Sequence, residues 1–128
     1  MHRHGEDAMA SAIDRAEIMD RLSGDRELIA EVVDLFVADR DALLGDLRRA
    51  LSQNDAKATR EAAHRMKGVL ATLAAPAATA TAQRLEELAR QSDLTDAPST
   101  LELLEREIDA AQAELARLVA ELASNPAV

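Results

Sequence analysis

In the stretch AAHRMKGVLATLAA, residues 62 to 75, a histidine, a lysine and a glycine fall close together as His64, Lys67 and Gly68. An accessible imidazole is a nucleophile that can carry a covalent group. An ammonium three residues further along a helix shares its surface and can neutralise an anion held on the ring. Glycine inside a helix costs about 1 kcal/mol relative to alanine, so a chain this rich in alanine has a reason to place it at 68. Helical side chains lean toward the N-terminus, and a larger residue at 68 would lean over the ring at 64. A reachable nucleophile, a cation for a transferred anionic group and a cleared approach together suit phosphoryl transfer through a phosphohistidine.

On a helical wheel of about 100° per residue centred on His64, Ala62, Met66, Val69 and Leu73 fall within about 40° of the opposite pole, flanked by Ala63 and Leu70. These residues form the expected core stripe. Within about 60° of the histidine lie Lys57, Arg60, Glu61, Lys67, Gly68, Ala71 and Ala75. His64 is therefore expected at the surface. Lys57 and Arg60 read as solvated helix surface, though either, and Arg60 in particular, could help bind an acidic partner, and Ala71 and Ala75 form the expected apolar rim of the docking face.

Helices must hold this arrangement, and no strand pattern competes with them. Asp14 and Glu17 have capping-box spacing and open a short helix that should stop at Ser23-Gly24. Asp25 caps a second helix whose Ile29, Val32, Val33, Phe36, Leu43, Leu47 and Leu51 form a one-sided stripe. After the turn at Ser52-Gln53-Asn54, the third helix is expected from about Asp55 to Ala74, with Asn54 or Asp55 as its cap. Pro76 ends it and suits the first turn of a fourth helix carrying Ala78, Ala82, Leu85, Leu88 and Ala89. SDLTDAPST reads as a loop, with a Ser99 to Glu102 capping box starting a fifth helix. There Leu101, Leu104, Ile108, Ala111, Leu115, Leu118 and Leu122 repeat at alternating three and four. The expected fold is all-α: an antiparallel up-down four-helix bundle with a short additional N-terminal helix. Residues 1–12 read as a flexible leader and 13–124 as a single domain.

Composition narrows the function. Twenty-four acidic residues against fifteen Lys and Arg leave a net charge of -9, which repels nucleic acid and anionic membranes. No apolar run reaches the roughly 20 residues of a membrane span, and with no basic n-region and apolar h-region at the start no signal peptide is expected. Cysteine is absent, which removes disulfide and thiolate chemistry and fits a cytoplasmic location. One phenylalanine and no tyrosine or tryptophan leave a core of Leu, Ala, Val, Ile and Met. His2 and His4 alone make a poor metal pair, so neither metal nor cofactor is expected on this chain. No nucleotide-binding loop or kinase motif appears, so phosphate must be brought by another protein.

AHRMKG, within SQNDAKATREAAHRMKG and followed by QRLEELAR, resembles the histidine phosphotransfer (HPt) domain of multistep phosphorelays. The resemblance extends upstream through RLSGDRELIAEVVDLFVADRDALLGDLRRAL and covers roughly residues 14 to 93. It implies a four-helix bundle acting as a covalent phosphocarrier without a kinase active site. His64 would be the phosphoacceptor, Lys67 the phosphoryl-stabilising cation and Gly68 the residue that grants access. It further implies response-regulator receiver domains and a hybrid histidine kinase as partners, with Mg²⁺ bound by the receiver. Val69 and Leu70 stand where family members often have Ser or Ala, and Thr72 and Ala74 where Asn and Gly are common. These departures bear on partner choice. Two other readings are an HPt-fold adaptor that binds a receiver without transfer, and a structural module that dimerises through Leu101 to Leu122. The carrier reading expects a monomer.

Overall fold

The computed structural model describes residues 11–124, which form five helices and no strand. They are α1 (Arg15–Arg21), α2 (Arg26–Ser52), α3 (Ala56–Thr72), α4 (Pro76–Arg90) and α5 (Ala97–Ala123). Three begin where the aspartates stand. The Asp14 carboxylate accepts from the Glu17 N–H, Asp25 from those of Glu27 and Leu28, and Asp55 from that of Ala58. Such caps are each worth about 1 kcal/mol.

The helix ends share a device that the sequence shows poorly. Ser23, Asn54, Ala74 and Ser92 adopt left-handed backbone, with φ of 57°, 52°, 56° and 58°. The following N–H then reaches back to close each turn: Gly24 to Met19, Asp55 to Ala50, Ala75 to Leu70 and Asp93 to Leu88. This is the hydrogen bond of a Schellman cap, a position usually given to glycine or asparagine. Because Ala74 occupies such a position, α3 stops at Thr72 rather than continuing to Ala74 as expected. The Ser99 to Glu102 capping box also does not form. The fifth helix starts earlier, at Ala97, with Pro98 inside its first turn, and the Ser99 hydroxyl donates to the Asp96 carbonyl. Proline fits there because first-turn N–H groups lack helical partners anyway.

The four long helices form a ring in which α2 packs on α3, α3 on α4, α4 on α5 and α5 on α2. Ile29, Phe36, Leu44, Leu47, Met66, Leu70, Leu85, Leu104, Ile108 and Leu115 fill the centre. Each large side chain buried this way contributes about 1.5–3 kcal/mol. The regular stripe of α5 is spent here: Leu101, Leu104, Ile108, Ala111, Leu115 and Leu118 are buried in this core, and Leu122 packs at its margin.

The short α1 closes one end. Ile13 and Ile18 are buried, the Asp14 N–H donates to the Ala74 carbonyl at 2.7 Å, and Arg15 reaches Glu114 and Glu121 at 3.2 and 2.6 Å. Of the leader expected over 1–12, residues 1–10, including His2 and His4, lie outside the described residues, while Ala12 packs against the core.

Candidate functional site

The middle of α3 divides as its periodicity requires. Ala62, Ala63, Met66 and Leu70 point into the core, and the His64 side chain stands 67% exposed on the other side. Gly68, one turn further on, is also exposed, and a Cβ built there would meet nothing within 4 Å. Glycine is therefore not forced at 68 by packing. Its effect is to leave the surface beside the ring uncovered.

The third component of the site comes from the neighbouring helix. Glu86 of α4 is only 8% exposed, and its two carboxylate oxygens divide between two residues of α3. Oε2 lies 3.0 Å from His64 Nδ1, and Oε1 lies 2.8 Å from Lys67 Nζ. The Arg90 guanidinium approaches Oε2 at 3.5 Å. Burial pushes the Glu86 carboxyl upward, but contact with Lys67 and His64 outweighs it and holds the group below the ordinary carboxylate value. An ionised carboxylate can only accept, so Nδ1 must carry the proton in this contact. In the tautomer with its proton on Nδ1, Nε2 has its lone pair free, and no partner for it lies among the described residues.

Lys67 is thus in place but engaged, with its ammonium paired to Glu86 and its side chain 27% exposed. Arg60 is exposed and lines a shallow groove beside His64 with Glu61, Arg65, Glu86 and Arg90. Arg90 thereby joins the site, whereas Arg84 is exposed outside this groove. Ala71 is half-buried, and its carbonyl accepts from Arg21 of α1 at 2.5 Å.

Ala75 requires a correction. It was expected on the exposed rim, yet it is fully buried, because α3 has already ended and the left-handed turn at Ala74 carries Ala75 inward as the N-cap of α4. The wheel that placed it holds only while the helix continues.

Glu86 is the residue that sequence reasoning missed. A signal existed: on the wheel it lies about 40° from Ala82, at the edge of the buried stripe of Ala78, Ala82, Leu85 and Ala89. A carboxylate on a core-facing stripe needs a partner, but the partner's identity depends on which helix lies opposite. Among the described residues no group of three or more His, Asp or Glu is arranged to hold a metal ion. No described helix is long and apolar enough to cross a membrane.

The family model described as Hpt domain matches residues 31–114, so the chain belongs to the Hpt domain family. No curated protein matches the chain. Among solved structures it is similar to histidine-containing phosphotransfer protein B (HptB) from Pseudomonas aeruginosa PAO1, with a TM-score of 0.80 and 27% identity. That match covers 86% of this chain and 96% of the other.

Proposed function

We propose that this Hpt-family chain is a phosphocarrier in which His64 takes a phosphoryl group from the phosphoaspartate of one receiver domain and passes it to the aspartate of another. The observation that carries this reading is the ring itself, exposed, with Nδ1 anchored on Glu86 and Nε2 free beside an ammonium and an uncovered glycine. Family membership and the likeness to a histidine-containing phosphotransfer protein support it.

In the forward step the Nε2 lone pair forms the N–P bond while the aspartyl oxygen departs with the electrons of the O–P bond. The Nδ1 proton stays on the ring, facing Glu86. Lys67, with Arg60 and Arg90 at the groove edge, supplies positive charge where the phosphoryl oxygens gather, and such positioned charge is the main catalytic resource of phosphoryl transfer. The receiver contributes the Mg²⁺, and a hybrid histidine kinase supplies the phosphate upstream. Docking falls on the α3 face around His64, with Ala71 and Arg60 at its rim. The protein works in the cytoplasm as a monomer, its four long helices running alternately up and down, an order favoured by connections of only a few residues.

The test is transfer from a panel of phosphorylated receiver domains with Mg²⁺, followed on acid-free gels. Label should move to the native chain and not to His64→Gln. A chain that binds a receiver without accepting label, with His64→Gln binding equally well, would make it an adaptor instead.

A further inference from the structure

The buried carboxylate bears on the phosphorylated ring as well as on the resting one. Glu86 grips both the residue that receives the phosphoryl group and the cation expected to stabilise it, at 3.0 and 2.8 Å. Once a dianionic group sits on Nε2, Lys67 is contested between two anions, and the carboxylate remains beside the new negative charge. Glu86 is 8% exposed on a packed helix, so it cannot swing away to solvent as a surface glutamate would.

Resting on the phosphocarrier reading, we propose that Glu86 is a positioning residue that keeps the phosphohistidine short-lived and strongly donating, so that the chain passes phosphate on rather than storing it. Two physical effects act in the same direction. Carboxylate and phosphoryl group compete for Lys67, which draws this cation away from the phosphoryl oxygens. The carboxylate also retains the proton on Nδ1, so the N–P bond breaks with its electron pair returning to a ring that becomes neutral imidazole. Without that proton the ring would have to leave as an imidazolate anion, a far poorer leaving group. In hydrolysis water attacks phosphorus, the N–P electrons return to Nε2 and the proton of the attacking water passes to solvent. Other charges facing the ring are Arg60, Glu61 and Arg65 from α3 and Arg90 from α4, but of these four side chains none touches Nδ1.

Phosphorylating the full chain with phosphoramidate, which needs no receiver, and following the phosphohistidine by ³¹P NMR between pH 6 and 9 tests this. An opposite charge in direct contact changes proton occupancy by about tenfold or more, so Glu86→Gln should lengthen the half-life about tenfold at the alkaline end and carry the change in lability to lower pH. Glu87→Gln removes the same charge one residue away and should match the native profile. Superimposable native and Glu86→Gln profiles would overturn the role of Glu86 while leaving the carrier intact. Failure of the native chain to accept phosphate on His64 from phosphoramidate or from any receiver would overturn the carrier reading and this proposal with it. Should Glu86→Gln fold poorly, ¹⁵N shifts of the His64 ring in the native chain decide the matter: a proton on Nδ1 supports the arrangement, and a proton predominantly on Nε2 overturns it.

Discussion

The α3–α4 pair and the α2–α5 pair belong to one bundle yet use charge in opposite ways. Helices α2 and α5 carry six arginines against twelve acidic residues, and their seam is laced by single cation-to-anion contacts. Arg40 reaches Asp109 at 2.8 Å and Gln112 at 2.7 Å, and Arg48 reaches Glu105 at 2.7 Å. Helices α3 and α4 carry six Lys and Arg against only three glutamates, within a chain of net charge -9. One of those three, Glu86, is nearly buried and shared among His64, Lys67 and Arg90. Ion pairs with one well-exposed partner, as Asp109 and Arg48 are here, add only about 0–1 kcal/mol each. A local cation excess beside an exposed imidazole instead creates a field that attracts an anionic group. The bundle thus separates charge spread along a seam between helices from charge gathered around one exposed ring.

The difference should show most strongly at one cation from each pair, Lys67 and Arg40. Lys67→Ala is expected to slow phosphoryl acceptance about a hundredfold with the helical content unchanged. Arg40→Ala should leave acceptance at the native rate and lower stability by up to about 1 kcal/mol in urea unfolding. Equal effects on transfer would erase the distinction between the two regions.

The glycines sharpen it next. Gly45 of α2 and Gly68 of α3 both sit inside helices, and a Cβ at either would meet nothing. Alanine at 45 should therefore raise stability by about 0.5–1 kcal/mol and leave transfer unaffected. Leucine at 68 should slow acceptance about tenfold or more by leaning over the ring, with a stability change below about 1 kcal/mol. A Gly68→Leu protein that accepts phosphate at the native rate would remove access as the reason for glycine there.

The smallest expected effect is one the two regions share. In Glu114 of α5, contact with Arg117 outweighs burial, helped by Arg15, and the carboxyl is held below its ordinary value, as it is in Glu86. A depressed folded value means that each carboxylate contributes stability above its unfolded value, near pH 4.5, and loses that contribution as pH falls through the folded value. Native unfolding free energy should therefore decline on the acid side of about pH 5, and either Glu86→Gln or Glu114→Gln should flatten the decline. Only Glu86→Gln should also alter the phosphohistidine. If both variants changed its lifetime, the effect would be one of general charge rather than contact with the ring.

These contrasts also mark how far the sequence could be read. Asp14, Asp25 and Asp55 announce helix starts because a side chain capping its own next turn is local chemistry. The stripe of Ala62, Met66 and Leu70 opposite His64 is equally local, since helical geometry alone puts them on different faces. The fates of Ala74 and Ala75 were not legible, because an alanine in left-handed backbone goes against its intrinsic preference and persists only where surrounding packing and hydrogen bonds hold it. The start of α5 was misread for a related reason: Pro98 is as compatible with a first helical turn as with a loop.

The sequence by itself determined that the chain is helical, that His64 stands outside the core and that Lys67 and Gly68 are its neighbours, because each of these follows from periodicity within one helix. Only the tertiary structure decided that Glu86, twenty-two residues away, anchors Nδ1 and holds Lys67. It also decided that Arg90 joins the site and that the long stripe of α5 is buried in its own bundle. The reason is physical: contacts between helices depend on their relative rotation and height, and those are set by how all the side chains of the core pack together rather than by any segment alone.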